Sequence, residues 1–242
     1  MLIVTGTGTE VGKTVVTAAV AALARDRGAR VAVVKPAQTG LAAGQPGDLD
    51  EVRRLSGVDD LHELVRYRDP LSPEAAARRA GAAPLELGLV AGRIGRLAAE
   101  ADLVLVEGAG GLLVRYADDG WTVADLARLL PAEVLVVTEP GLGTLNATAL
   151  TLEVMAGRGL RLAGVVIGRW PPEPDLACRS NVADLERLAG RPLAGALPAG
   201  APARPDFLGT ARHGLAPALG GRFDAQNFRR ATRLPRRSRG HA

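Results

Sequence analysis

The sequence predicts a doubly wound α/β fold, a mainly parallel sheet with helices on both faces. Short Val/Leu/Ile-rich runs recur along the first 200 residues with helix-like segments between them, the alternation that builds such a sheet. The runs are continuously apolar rather than alternating, as parallel strands covered on both faces require. The first run also passes through a glycine-rich turn straight into a helical segment.

The first strand is expected at 2–5 (Leu-Ile-Val-Thr), and its helix at 13–27 begins with Lys13-Thr14. A second apolar run gives a strand at 29–34, followed by a helix at 48–55. At 73–80 the helix is announced by Ser72-Pro73-Glu74. These are an N-cap, a first-turn proline and an acid favoured by the helix dipole. Further helices are expected at 85–99, 123–130, 145–158 and 175–189. They alternate with strands at 103–107, 133–138, 163–167 and 193–197. Residues 198–221, rich in Gly, Ala and Pro, read as loop. There is no internal repeat and no clear linker before residue 200, so residues 1–224 are expected to form one domain.

Composition narrows the function. Apolar residues make up 47% of 242, enough for a full core, and no apolar run reaches the length of a membrane span. A strand starting at residue 2 leaves no room for a signal peptide, and Cys178 is the only cysteine. Both point to a reducing cytoplasm. Aromatics at 3% argue against a stacking surface for nucleic acid. Removing residues 225–242, with six arginines (Arg229, Arg230, Arg233, Arg236, Arg237, Arg239) and no acid, takes the formal net charge from +4 to −2. Basicity is therefore a property of that tail, which reads as disordered and solvated.

Lysine occurs twice, at Lys13 and Lys35, against 28 arginines, and each lysine closes a short apolar run. A compact ammonium suits a crowded anion site better than a wide guanidinium. Gly6-Thr7-Gly8-Thr9-Glu10-Val11-Gly12-Lys13-Thr14 joins strand to helix, the context of a phosphate loop, so the fold is of the P-loop NTPase type. In such a loop backbone amides cradle phosphate oxygens, the lysine reaches the β and γ oxygens and the Thr hydroxyl ligates Mg²⁺. The loop is a variant: Thr7 stands where the first glycine usually falls, and Gly6 precedes it.

Val104-Leu-Val-Glu107-Gly-Ala-Gly-Gly111 puts an acid at a buried strand end, which requires a partner charge or a metal. Asp48, at a helix start, is either an N-cap or a further metal contact, with Asp50 a competing candidate. Lys35-Pro-Ala-Gln-Thr39-Gly40 reads as a turn that aims Lys35 and Thr39 at the mouth of the phosphate loop. Without a carboxylate neighbour in the local sequence, Lys35 would stabilise charge passing between a γ-phosphate and an acceptor. Gly141-Leu-Gly143-Thr-Leu-Asn146 opens a helix whose N-terminus suits a carboxylate.

Five segments together resemble the dethiobiotin synthetase family over roughly residues 1–200. They are the phosphate loop from Thr5 to Thr14, Lys35 to Gly40, Val106 to Gly111, Thr122-Val-Ala-Asp-Leu126 and Gly141 to Asn146. The resemblance implies ATP- and Mg²⁺-dependent ring closure on 7,8-diaminononanoate with CO₂, through a carbamate and a carbamic-phosphoric anhydride. On that resemblance Glu10, Val11, Gly12, Lys13, Thr14 and Val15 hold the nucleotide with Asp48, Glu107, Gly108, Ala109, Gly110, Gly168, Arg169 and Pro198. Thr14, Asp48 and Glu107 position Mg²⁺, and Lys13, Lys35 and Thr9 are catalytic. Thr9, Lys35, Thr39, Gly110, Gly143 and Asn146 meet the diamine, its carboxylate end received across a homodimer interface. Family members commonly carry Asn-Asp after the strand that here reads Gly164-Val-Val-Ile-Gly168-Arg169. Without that asparagine, weaker base discrimination is expected, with CTP or other triphosphates accepted.

The rivals are weaker. Partition-type P-loop switch ATPases carry a second loop lysine four residues before Gly12, where this chain has Gly8. The synthetase half of a glutamine-dependent amidotransferase would need a further Cys/His domain, and only Cys178, His62, His213 and His241 are present. A nucleic-acid-binding module would rest on the basic tail alone.

Overall fold

A computed structural model of the chain describes residues 1–234. Seven strands form one sheet: β1 Leu2–Gly6, β2 Val31–Thr39, β3 Leu61–Tyr67, β4 Leu103–Gly111, β5 Glu133–Thr138, β6 Arg161–Trp170 and β7 Gly195–Pro198. Their order is β3-β2-β4-β1-β5-β6-β7, every pairing parallel. The connecting helices are α1 Lys13–Asp26, α2 Asp48–Ser56, α3 Pro73–Ala80, α4 Leu87–Glu100, α5 Val123–Leu129, α6 Thr144–Gly157 and α7 Leu176–Ala189. Beyond β7 come α8 Phe207–Gly214 and α9 Ala225–Thr232, with two single 3₁₀ turns.

Successive strand residues point to opposite faces, and both faces are apolar. Ile3, Val34, Val106 and Val136 face one core with residues of α3, α4, α5 and α7. Leu2, Val4, Val33, Leu105 and Val137 face the other with α1, α2 and α8. Two-sided burial is why the strand sequences lack polar alternation. The chain winds outward from β1 to β2 and β3, returns to β4, then leaves on the other side through β5. This reversal puts the switch point at the carboxyl ends of β1 and β4, where doubly wound sheets bind ligands.

Three sequence expectations need correction. β3 was not anticipated, because this edge strand is only half-buried and its Leu-His-Glu-Leu-Val-Arg-Tyr sequence mixes polar residues into the run. Residues 198–221 are not all loop, since α8 is capped by Asp206, whose carboxylate accepts from the Gly209 amide at 2.7 Å. The tail is not disordered from residue 225. Asp224 caps α9, Phe228 packs edge-on against Trp170 at 4.9 Å, and Arg229 pairs with the buried Glu186 at 2.9 Å. The rest of the tail expectation, residues 235–242, lies outside the described residues. Among the described residues, no helix is long and apolar enough to cross a membrane.

Candidate active site

The loop after β1 wraps tightly around its own lysine. Lys13 folds back so that Nζ donates to the Gly8 carbonyl at 2.8 Å. A Cβ on Gly6 would lie 2.7 Å from Val11 Cγ2 and 2.8 Å from the Gly8 oxygen, so the shifted glycine is a steric requirement of the variant loop. α1 starts directly behind it, so the helix N-terminus and Thr14 lie at the base of the loop.

From the neighbouring strands come the other charges. Glu107 on β4 is 0% exposed and Lys35 on β2 is 3% exposed. Lys35 Nζ lies 2.8 Å from Glu107 Oε1 and 2.5 Å from Asp48 Oδ2, and it reaches the Gly108 carbonyl at 3.3 Å. Thr14 Oγ donates to the same Glu107 Oε1 at 2.9 Å. Lys35 has no carboxylate neighbour in the local sequence, and the fold supplies two from 13 and 72 residues away. The expected turn at 35–40 is corrected, because β2 continues through Pro36 to Thr39. The β4 ladder ends at Val34, so the missing proline N–H breaks none of the paired positions on that side.

Burial alone disfavours the Lys35 ammonium, but Glu107 and Asp48 outweigh it and hold its pKa above the ordinary lysine value. Asp48 is driven the opposite way: burial favours its acid form, and the Lys35 ammonium with the Thr14 hydroxyl reverses that. Lys13 has no such direct partner. Burial, reinforced by the Lys35 charge, lowers it to about 8 despite some pull from Glu107 and Asp48. Of the two acids at the start of α2, Asp48 enters the cluster. Asp50 instead accepts the Gly47 amide at 2.7 Å and lies 3.7 Å from Arg53.

These groups share a cleft of about 700 Å³. Thr9, Glu10, Gly12, Lys13, Thr14 and Val15 line its floor, and Lys35, Thr39, Asp48 and Glu107 one wall. Ala109, Gly110, Gly168, Arg169 and Pro198 complete it. Val11 and Gly108 do not face the cleft, although Val11 is buried against the sheet. Gly143 and Asn146 lie outside it, at the start of α6, where Gly143 (φ 90°) leaves the first turn without a side-chain cap. Gly168 has a packing reason: a Cβ there would lie 2.1 Å from the Val11 carbonyl oxygen. Arg169 donates to the Glu10 carbonyl at 3.1 Å, so β6 braces the phosphate loop from outside.

Sequence reasoning missed the supporting residues. Gln38 Oε1 accepts the Asp48 amide at 3.1 Å and anchors the start of α2. The Tyr116 hydroxyl accepts the Ala109 amide at 2.7 Å, holding the glycine turn after Glu107, while its ring stacks on Trp121 at 4.5 Å. Gln38 lies inside the Lys35–Gly40 segment without a role assigned to it there, and no local motif marks Tyr116.

The AAA domain family model (AAA_26) matches residues 1–204. A protein of Parafrankia sp. (strain EAN1pec) named ATP-dependent dethiobiotin synthetase BioD is 70% identical over 232 residues, 95% of this chain and 98% of that protein. A protein of the same name from Streptomyces coelicolor is 56% identical over 232 residues, 94% and 97% of the two. Among solved structures, the Pyrococcus furiosus cell division ATPase MinD superposes with a TM-score of 0.52 at 22% identity, over 82% of this chain and 83% of that one. A ParA family ATPase from Chlorobium tepidum gives 0.52 at 16%, over 96% and 98%. At those identities the structural likeness carries the fold alone.

Proposed function

The chain belongs to the ATP-dependent dethiobiotin synthetase family, and from that premise we propose how its cleft closes the ring in biotin biosynthesis. The chain is an ATP-dependent ligase that makes dethiobiotin. In our reading one amine of 7,8-diaminononanoate adds to CO₂, releasing a proton and leaving a carbamate. A carbamate oxygen attacks the γ-phosphorus, the bond to the β-phosphate oxygen breaks, and ADP departs. The second amine then attacks the carbonyl carbon of the mixed anhydride. Phosphate leaves with the C–O electron pair, a proton is lost, and the cyclic urea remains.

Phosphoryl transfer of this kind needs positioning and charge neutralisation more than covalent help. The loop amides and Lys13 hold the triphosphate, while Lys35 and Thr9 orient the carbamate oxygen against it. The single observation that carries the reading is the convergence of Lys13, Lys35, Thr14, Asp48 and Glu107 in one cleft.

The donor set also fits a magnesium ion. Glu107 Oε2 is buried without a hydrogen-bond partner, and two carboxylates with a hydroxyl suit a cation that keeps waters and phosphate oxygens as its other ligands. No group of three His, Cys, Asp or Glu side chains with metal-holding geometry occurs among the described residues. Thr14, Asp48 and Glu107 would hold Mg²⁺, which when bound neutralises phosphate charge.

Gly143 and Asn146 lie away from the cleft, so the carboxylate they would receive belongs to a diamine seated in a second copy's cleft. That requires a homodimer. α6 supports one: only Thr144, Thr148 and Met155 of its fourteen residues are buried, and Leu150 is 60% exposed with Leu142 before it at 95%. Gly168 offers no side chain to a base, so CTP and other triphosphates should also serve. Competitive turnover that prefers ATP by more than about 100-fold would contradict this. A cytoplasmic location fits the single thiol of Cys178 and the absence of a long apolar helix among the described residues.

The test is direct. The protein is incubated with diaminononanoate, ¹³C-bicarbonate, Mg²⁺ and ATP, and products are read by mass. Labelled dethiobiotin with one phosphate per ring supports the reading; phosphate release without diamine, or no labelled urea, rejects it.

A further inference from the structure

Four threonines run from the phosphate loop to the start of α6. Thr7 lies in the loop, Thr138 ends β5, and Thr144 and Thr148 sit in the first turns of α6. Thr138 Oγ lies 3.2 Å from the Thr7 hydroxyl, 2.6 Å from that of Thr144 and 3.0 Å from that of Thr148. Thr144 itself donates to the Glu139 carbonyl at 2.5 Å. Each hydroxyl has one proton to give. Thr144 has given its proton to Glu139, so it accepts from Thr138. Thr138 has then spent its own proton and accepts from both Thr7 and Thr148. The order is fixed as Thr7 to Thr138 to Thr144 to the Glu139 carbonyl, with Thr148 feeding the middle.

Thr138 therefore has one bond donated and two accepted, and both it and Thr148 are 0% exposed. Water does not reach this junction to replace a lost member, so deletion would leave buried hydroxyls unpartnered. The surroundings are equally fixed. The Thr7 amide donates to the Val137 carbonyl at 2.9 Å. Asn181 on α7 donates to the carbonyls of Pro140 and Gly141, both at 2.9 Å, holding the far side of the turn into α6.

Resting on the reading that the first turn of α6 receives the substrate carboxylate, we propose that Thr138 is a positioning residue. It couples triphosphate binding at the phosphate loop to carboxylate binding at α6. Gly143 and Asn146 lie outside the nucleotide cleft of their own chain, and the threonine chain joins the two places by side-chain hydrogen bonds. A triphosphate that orders the loop fixes the Thr7 hydroxyl, and through Thr138 the α6 turn. A carboxylate arriving there meets donors already in place and loses less conformational freedom. By linkage the effect is reciprocal, so the diamine also tightens the nucleotide.

Calorimetry on the full chain tests this, titrating diaminononanoate with and without the non-hydrolysable analogue adenylyl imidodiphosphate and MgCl₂. Wild type is expected to bind the diamine about tenfold more tightly with the nucleotide present. Thr138→Val keeps the shape but removes the hydroxyl, and its gain should fall to about threefold or less, leaving only what nucleotide and diamine exert on each other directly. Thr138→Ser restores the hydroxyl and should restore the gain. Thr148→Val removes a buried hydroxyl that is not between the two sites, and should keep the gain whatever it does to stability. If Thr138→Val does not fold, Thr7→Val breaks the same link at its half-buried end and should show the same loss. A full gain in Thr138→Val or Thr7→Val, a lost gain in Thr148→Val, or no gain in wild type overturns the proposal alone. Failure of wild type to bind the diamine at all overturns the functional reading beneath it.

Discussion

Lys35 sits between two carboxylates that would repel each other without it, and its ammonium is small enough to touch both. In Lys35→Arg the charge remains but the planar fork does not fit the buried slot. Turnover should fall at least about a hundredfold with nucleotide affinity nearly retained, a loss confined to the transition state. Steady-state kinetics beside nucleotide titration would check this, and near-normal turnover would remove the role of Lys35. Glu107→Gln keeps the shape and loses the charge; the magnesium titration midpoint should rise about tenfold or more. Lys13 gives a pH signature. Its lowered pKa of about 8 means that the free protein sheds this charge as pH rises through that value. Nucleotide affinity should therefore weaken from pH 7 to pH 9, with proton uptake on binding at the upper end, measurable by calorimetry in two buffers. Lys13, Thr14, Lys35 and Glu107 were all legible in the sequence, because each sits in a short motif, although Lys35 and Glu107 lie within β2 and β4 rather than at their ends. The ion pairing of Lys35 was not, since its partners arrive only when β4 and α2 fold beside β2.

At the scale of elements, continuous apolar runs gave away the six buried strands, and capping residues gave away α3. β3 escaped because an edge strand needs only one covered side and tolerates His62, Glu63 and Arg66. α8 and α9 escaped because their Gly-, Ala- and Arg-rich sequences hid the aspartates that cap them. α9 has a stability consequence. A chain ending at residue 234 keeps every described residue and serves as the reference. Ending it at 224 removes Phe228 from Trp170 and Phe223 and leaves the buried Glu186 without Arg229. The apolar loss alone is about 1–2 kcal/mol, so the midpoint should drop by several degrees in calorimetry. Equal midpoints for the two truncations would mean that α9 does not dock in solution.

For the whole molecule, the doubly wound topology explains why one end of the sheet carries the chemistry: the chain reverses at β1, and the loop after β1 meets the end of β4 there. Nothing in the sequence pattern distinguished the face of α6 left uncovered, since that helix is apolar nearly all round; exposure of Leu142 and Leu150 singles it out only once the fold is known. Leu150→Asp should yield monomers in analytical ultracentrifugation and lose dethiobiotin formation while nucleotide still binds. The most direct measurement of the central claim is a crystal structure with adenylyl imidodiphosphate, Mg²⁺ and diaminononanoate. The Nζ atoms of Lys13 and Lys35 should converge on the γ-phosphate and the reacting amine within one cleft, with Asp48 and Glu107 beside the metal. Two lysines directed into separate cavities would contradict it.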